Sequence, residues 1–186
     1  RRGVARDGRN LYPAMPYDAY AGITNEDIAA LYAYFTQGVA PVDDAPGQRT
    51  DLAFPFNLRF AMTGWNLLYA GGEPFTPNPA LTEAGNRGRY LVDALAHCGS
   101  CHSPRGLLMG PVRGAYLTGG DVGPWYAPDI TADAGNGIGT WSPEQIAAYL
   151  KTGHAEGRGQ PAVPMAEAVQ NSLQHVTDDD LAAMAA

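Results

Sequence analysis

The two cysteines of this 186-residue chain stand three positions apart, and a histidine follows the second: Cys98-Gly99-Ser100-Cys101-His102. No hydrophobic pattern constrains the fold as strongly, because this string is suited to fastening a large planar cofactor that then becomes part of the core. Two thiols one helical turn apart can add to the two vinyl groups of one porphyrin. The adjacent imidazole then lies under the iron as its proximal ligand. With two cysteines and four histidines, chance placement produces this string on the order of 1 in 5,000 times, so chance explains it poorly.

Other cysteine chemistries fit less well. A zinc site needs roughly four ligands, and His97, His154 and His175 lack the short-spaced second pair that completes one. A thioredoxin-like pair would follow a strand in a βαβ pattern, and no such alternation is visible nearby. A disulfide across two residues closes a very small loop, adds little stability and leaves His102 unexplained.

A hydrophobic fraction of 45% allows one or two small domains with real cores. The 23 glycines and 15 prolines predict much loop and a low helix content, which suits a chain wrapped around a cofactor. The net charge of −7 provides no basic stripe for phosphates and excludes nucleic-acid binding as a main role. The longest apolar stretch, around Phe54 to Ala70, is broken by Asn57, Arg59 and Asn66, short of the roughly 20 residues that cross a bilayer.

The chain also repeats itself. Thr24-Asn25-Glu26-Asp27-Ile28-Ala29-Ala30-Leu31 matches Thr177-Asp178-Asp179-Asp180-Leu181-Ala182-Ala183-Met184. Each copy reads as a helix start, with threonine as N-cap, acids complementing the helix dipole and apolar residues three apart forming an inward stripe. A proline-rich turn carrying a methionine precedes each: Pro13-Ala14-Met15-Pro16 and Pro161-Ala162-Val163-Pro164-Met165. A thioether is a soft ligand that completes haem iron opposite a histidine and raises its reduction potential. Met165 and Met15 are therefore the candidate distal ligands. Met109 is too close to His102 to reach the opposite haem face and is expected to pack, while Met62 and Met184 fall in apolar helical patterns.

The first copy has its methionine and closing helix but no Cys-x-x-Cys-His before it, so the reading places that motif upstream of Arg1. The second copy stops at Ala186 without a cap and reads as cut. Residues 1–42 are expected to be the C-terminal part of a first haem domain. Residues 43–82 are expected to form a linker with one helical stretch near Asn57 to Tyr69, and 83–186 a second, nearly complete domain. Helices are predicted near Glu83 to Ala96, from Ser142-Pro143 to Lys151, from Met165 to Leu173 and from Thr177 onward, with no strand of convincing length.

Taken together, these stretches resemble the multihaem cytochrome c subunit of bacterial membrane-bound dehydrogenases that oxidise alcohols, aldehydes, gluconate or sugars. The resemblance is carried by Leu11 to Tyr17, Asn86 to Val92 running into His97 to Arg105, Trp125 to Thr131, Gly137 to Ser142 and Pro164 to Glu167. It implies an all-α fold of class I cytochrome c domains with extensive loops around haem, facing the periplasm and associated with the inner membrane through parts outside this sequence. It also implies electron transfer from a flavoprotein or quinoprotein catalytic subunit toward ubiquinone or another acceptor. Carried over, Cys98 and Cys101 are the thioether attachments of haem c, His102 its proximal ligand and Met165 its distal ligand. Met15 would serve a first haem if the upstream motif is present. The chain departs from the family in lacking that motif and a third domain. Arg105 and the Trp125-Tyr126 pair are candidates for propionate hydrogen bonds, with an equal claim as a loop arginine and packed aromatics.

No paired carboxylates or nucleophile constellation stands out, so catalysis is expected on a partner chain. The alternatives are a dihaem peroxidase-like enzyme and a haem-free disulfide or zinc module.

Overall fold

Four helices of this chain begin where a hydroxyl holds one of the first unpaired backbone donors. In the computed structural model, which describes residues 1–43, 52–54 and 57–186, Thr24, Thr82, Ser142 and Thr177 each accept a hydrogen bond from the backbone N–H three residues on. Such caps are each worth about 1 kcal/mol. Both repeat helices predicted from Thr24 and Thr177 thus start as expected.

The chain divides into two units, Arg1–Phe75 and Thr76–Ala186. The first contains α1 (Tyr17–Tyr20), α2 (Asn25–Ala33), which runs on as a wider turn over Tyr34–Gly38, and α3 (Ala61–Tyr69). Its core gathers Tyr17, Ala21, Ile23 and Trp65. The Tyr17 and Trp65 rings meet edge to face with centroids 5.7 Å apart, and the Tyr17 hydroxyl donates to Asn66 Oδ1 at 2.6 Å. Trp65 and Asn66 belong to the stretch read from sequence as linker, and they complete this core. The rest of that linker at residues 44–51 and 55–56 lies outside the described residues.

The second unit holds α4 (Glu83–Tyr90), widening into Leu91–Leu95, then α5 (Gly99–His102), β1 (Gly120–Val122), β2 (Trp125–Ala127), α6 (Pro143–Thr152), α7 (Val163–Asn171), a short turn at Leu173–His175 and α8 (Asp178–Ala185). The two three-residue strands pair antiparallel, Val122 opposite Trp125. This hairpin was not expected from sequence, since three residues are too few to show an alternation. Helix is not scarce either: 42% of the described residues are helical. Glycine and proline mislead here because several sit at helix ends, such as Pro143 in the first turn of α6 and Gly153 as its left-handed cap, where they favour the helix.

The core of the second unit is the crossing of α4 and α8. Tyr90, Leu91 and Ala94 are buried against Leu181 and Ala183, and Leu181 alone gains about 1.5–3 kcal/mol from burial. Gly88 lies at the closest approach: a Cβ there would sit 1.8 Å from the Ala183 carbonyl oxygen. The inward stripe expected of both repeat copies forms only here. In α2 no residue is buried and Leu31 is 41% exposed, because no helix of the described residues packs across α2 as α4 packs across α8.

Arg87 on α4 clasps Asp180 on α8 through two hydrogen bonds of 2.7 Å. These bonds hold the Asp180 carboxyl below its ordinary value. A carboxyl depressed in the folded state stabilises above its ordinary value and loses that contribution as pH falls through the folded one. Asp180→Asn is expected to cost about 0.5–1 kcal/mol at pH 7 and nearly nothing well below the ordinary carboxylate range, the pair being partly exposed. Urea unfolding at the two pH values checks this.

Candidate haem-attachment site

The site begins where α4 loosens. The Ala96 N–H reaches back five residues to the Leu91 carbonyl at 2.7 Å, and the Cys98 N–H reaches Val92 at 3.0 Å. Widened turns of this kind gather at functional positions. His97 then adopts φ 41°, a left-handed conformation that costs a non-glycine residue on the order of 1 kcal/mol and redirects the chain into α5.

α5 is a single turn. The Cys101 and His102 N–H groups both return to the Cys98 carbonyl, at 3.2 and 2.9 Å. The one-turn spacing expected of the two thiols is therefore present, and both cysteines are free, Cys98 half-buried and Cys101 exposed. Burial, aided by the nearby Asp93 charge, pushes the Cys98 thiol up to about 11, so the unmodified side chain stays protonated and weakly reactive at neutral pH.

His102 is oriented by a partner that sequence reading did not identify. Its Nδ1 lies 2.7 Å from the Pro128 carbonyl oxygen. A carbonyl only accepts, so Nδ1 carries the proton and the Nε2 lone pair is left for a metal. Such a second hydrogen bond fixes tautomer and ring plane in metal-binding histidines. The sequence signal was slight: Pro128 falls in one of the stretches carrying the resemblance, but a backbone acceptor has no side chain to betray it.

The intervening chain is stitched to α5. The Gly119 N–H donates to the His102 carbonyl at 2.9 Å, buried Ser103 accepts from the Leu117 N–H at 2.9 Å, and the Ile130 N–H donates to the Leu117 carbonyl at 2.9 Å. Arg105, a propionate candidate by sequence, donates to the Ser100 and Met109 carbonyls at 3.0 and 2.9 Å. It thus braces the motif and the loop after it. Met109, expected to pack, is instead 58% exposed, in a turn where it takes φ 61°. Trp125 and Tyr126 are exposed on β2.

Met165 lies in the first turn of α7, in the same unit and half-buried. Met15 lies in the other unit, 66% exposed, in the turn before α1, where its carbonyl accepts from the Tyr17 N–H at 2.7 Å. Among the described residues, no group of three or more histidine, cysteine, aspartate or glutamate side chains converges as a metal site. The turn itself gathers two thiols and one oriented imidazole, donors that suit haem attachment.

No protein-family model matches the chain. Individual relatives do. It is 48% identical over 188 residues to the fructose dehydrogenase cytochrome subunit of Gluconobacter japonicus, covering 99% of this chain and 38% of that protein. It is 39% identical over 197 residues to the gluconate 2-dehydrogenase cytochrome c subunit of Pantoea cypripedii, covering 100% and 44%. A diheme cytochrome c-type protein of Cereibacter sphaeroides is 37% identical over 188 residues, covering 100% and 61%. The chain is thus a homologue of c-type cytochromes, and covalently bound haem c is what that kinship implies. More particularly, its homologues include the cytochrome c subunits of fructose, gluconate and alcohol dehydrogenases. It spans about two fifths of the length of the fructose and gluconate subunits.

Proposed function

We propose that this chain relays single electrons through haem c, bonded to Cys98 and Cys101 and ligated by His102 and Met165. The observation that carries this reading is the 2.7 Å contact from His102 Nδ1 to the Pro128 carbonyl, which leaves Nε2 as the imidazole's available lone pair in a turn that also carries two free thiols. Haem c supplies a reversible one-electron couple when bound. The protein's part is to hold the imidazole rigid, present a thioether from α7 and keep both ligands unchanged between redox states, so that no open coordination position is needed.

That the relatives are named as cytochrome subunits of dehydrogenases supports a dehydrogenase as electron donor; the reading takes it to be a flavoprotein or quinoprotein catalytic subunit and sends the electrons on to ubiquinone or another respiratory acceptor. The site of action is the periplasm, at the inner membrane. No helix of the described residues is long and apolar enough to cross a membrane. Residues 1–42 are read as the end of a first cytochrome domain with Met15 as its distal ligand, 43–82 as the connection and 83–186 as the second domain, its loops closing around haem.

The test is intact mass and visible spectroscopy of the chain made in a host that attaches haem c. One covalent haem on the Cys98–Cys101 peptide is expected, with Met165→Ala losing the spectral signature of thioether ligation and lowering the reduction potential. A wild-type chain without added haem mass would refute the proposal.

A further inference from the structure

Beside the attachment turn lies a polar cluster that neither attachment nor ligation uses. The Tyr116 hydroxyl donates to Asp93 Oδ1 at 2.5 Å, and Arg89 Nε stands 3.4 Å from Asp93 Oδ2, one turn earlier on the same helix. The ring of Tyr116 lies flush on Gly99, the first spacer of the motif. A Cβ on Gly99 would come 2.4 Å from Tyr116 Cε2, so any larger residue there would push the ring off the turn. The ring is held at both ends. Asp93 fixes its hydroxyl, and Ser103 Oγ, on the residue after His102, fixes the backbone of Leu117 just beyond it.

We infer that Arg89, Asp93 and Tyr116 are positioning residues that hold the Cys98–His102 turn and set the electron affinity of the haem bound there. The inference rests on the reading of that turn as a haem c site. Mechanically, the ring packs on the backbone of the turn at Gly99. Electrostatically, ferric haem carries one more positive charge than ferrous haem; a nearby carboxylate therefore favours the ferric state and a nearby cation the ferrous. The Asp93 charge reaches the Cys98 sulfur, where it adds to the upward push on the thiol. Arg89 and the Tyr116 hydroxyl both draw on that carboxylate and moderate its effect. The tyrosine in turn is held well above its usual pKa, by burial first and then by its bond to Asp93, so it remains a donor throughout the physiological range.

Charge and support make different predictions, and this separates them. The chain carrying its covalent haem is titrated with redox mediators as wild type, Tyr116→Phe, Arg89→Gln and Asp93→Asn. At the potential where wild type is half reduced, Y116F and R89Q are expected to raise the ferric-to-ferrous ratio by about two- to fivefold. D93N is expected to lower it by a similar factor, and Asp93→Ser carries the same sign should D93N fail to load haem. Loss of support alone would move every variant the same way. Shifts of one sign, or none, in haem-loaded variants overturn this inference and leave the haem site intact. A wild-type chain lacking haem mass on the Cys98–Cys101 peptide overturns both.

Discussion

Replacing His102 with alanine is expected to abolish the low-spin six-coordinate spectrum of the chain while leaving haem mass on the Cys98–Cys101 peptide. Replacing Cys98 and Cys101 together with serine is expected to remove that mass altogether. The two losses separate because the structure divides the work. The thiols sit on the cap and the third residue of α5, a single turn in which the Cys101 and His102 N–H groups return to the Cys98 carbonyl, so they act as anchors. The imidazole is oriented by a chain segment 26 positions on, through the Pro128 carbonyl, so it acts as ligand. A ring held by that bond loses little freedom on ligation, which is how outer partners of metal-binding histidines raise affinity by about 10- to 100-fold. Visible spectra and intact mass of the three proteins check the result. Normal six-coordinate spectra in His102→Ala would remove His102 from the iron.

The second large effect is expected far from the motif. Intrinsic helix propensity argues that Gly88→Ala stabilises α4 by about 1 kcal/mol. Packing argues the reverse, because the added Cβ would stand 1.8 Å from the Ala183 carbonyl oxygen, and that atom is backbone and cannot swing away. The helices must separate, uncovering Tyr90, Leu91 and Leu181, which are now buried. Such overpacking costs about 1–3 kcal/mol or more, so we expect a net loss of about 2 kcal/mol and a melting temperature lower by about 10 °C for the second unit. Gly64→Ala in α3 is the control. Nothing lies within 4 Å of its added Cβ, so propensity acts alone and the change should be neutral to stabilising. Thermal melts of the two variants give opposite signs if the crossing decides, and the same sign if propensity does.

These two effects also separate what could be read from the sequence from what could not. The caps at Thr24, Ser142 and Thr177 were legible because a hydroxyl followed by acids or amides is a local signal, acting within one turn. The thiol spacing was legible for the same reason. The hairpin at Gly120–Ala127 was not, being too short to carry a period. The repeat was legible as sequence but overstated as structure: the two copies start alike, yet Leu181 is buried and Leu31 is exposed, since burial depends on what crosses the helix and not on the helix itself.

By itself the sequence determined where the helices capped by Thr24, Ser142 and Thr177 begin, that two thiols and an imidazole share one turn, and that the chain resembles the cytochrome subunits to which it proves homologous. Those are short-range facts, set by side chains acting on their own neighbourhood. Only the tertiary structure decided which nitrogen of His102 is free, why Gly88 and Gly99 are glycines, and that Arg105 braces carbonyls of the motif and its following loop. Each of these depends on a backbone atom or ring brought from a distant part of the chain, and a distant backbone carbonyl leaves no mark on the identity of the residue it meets.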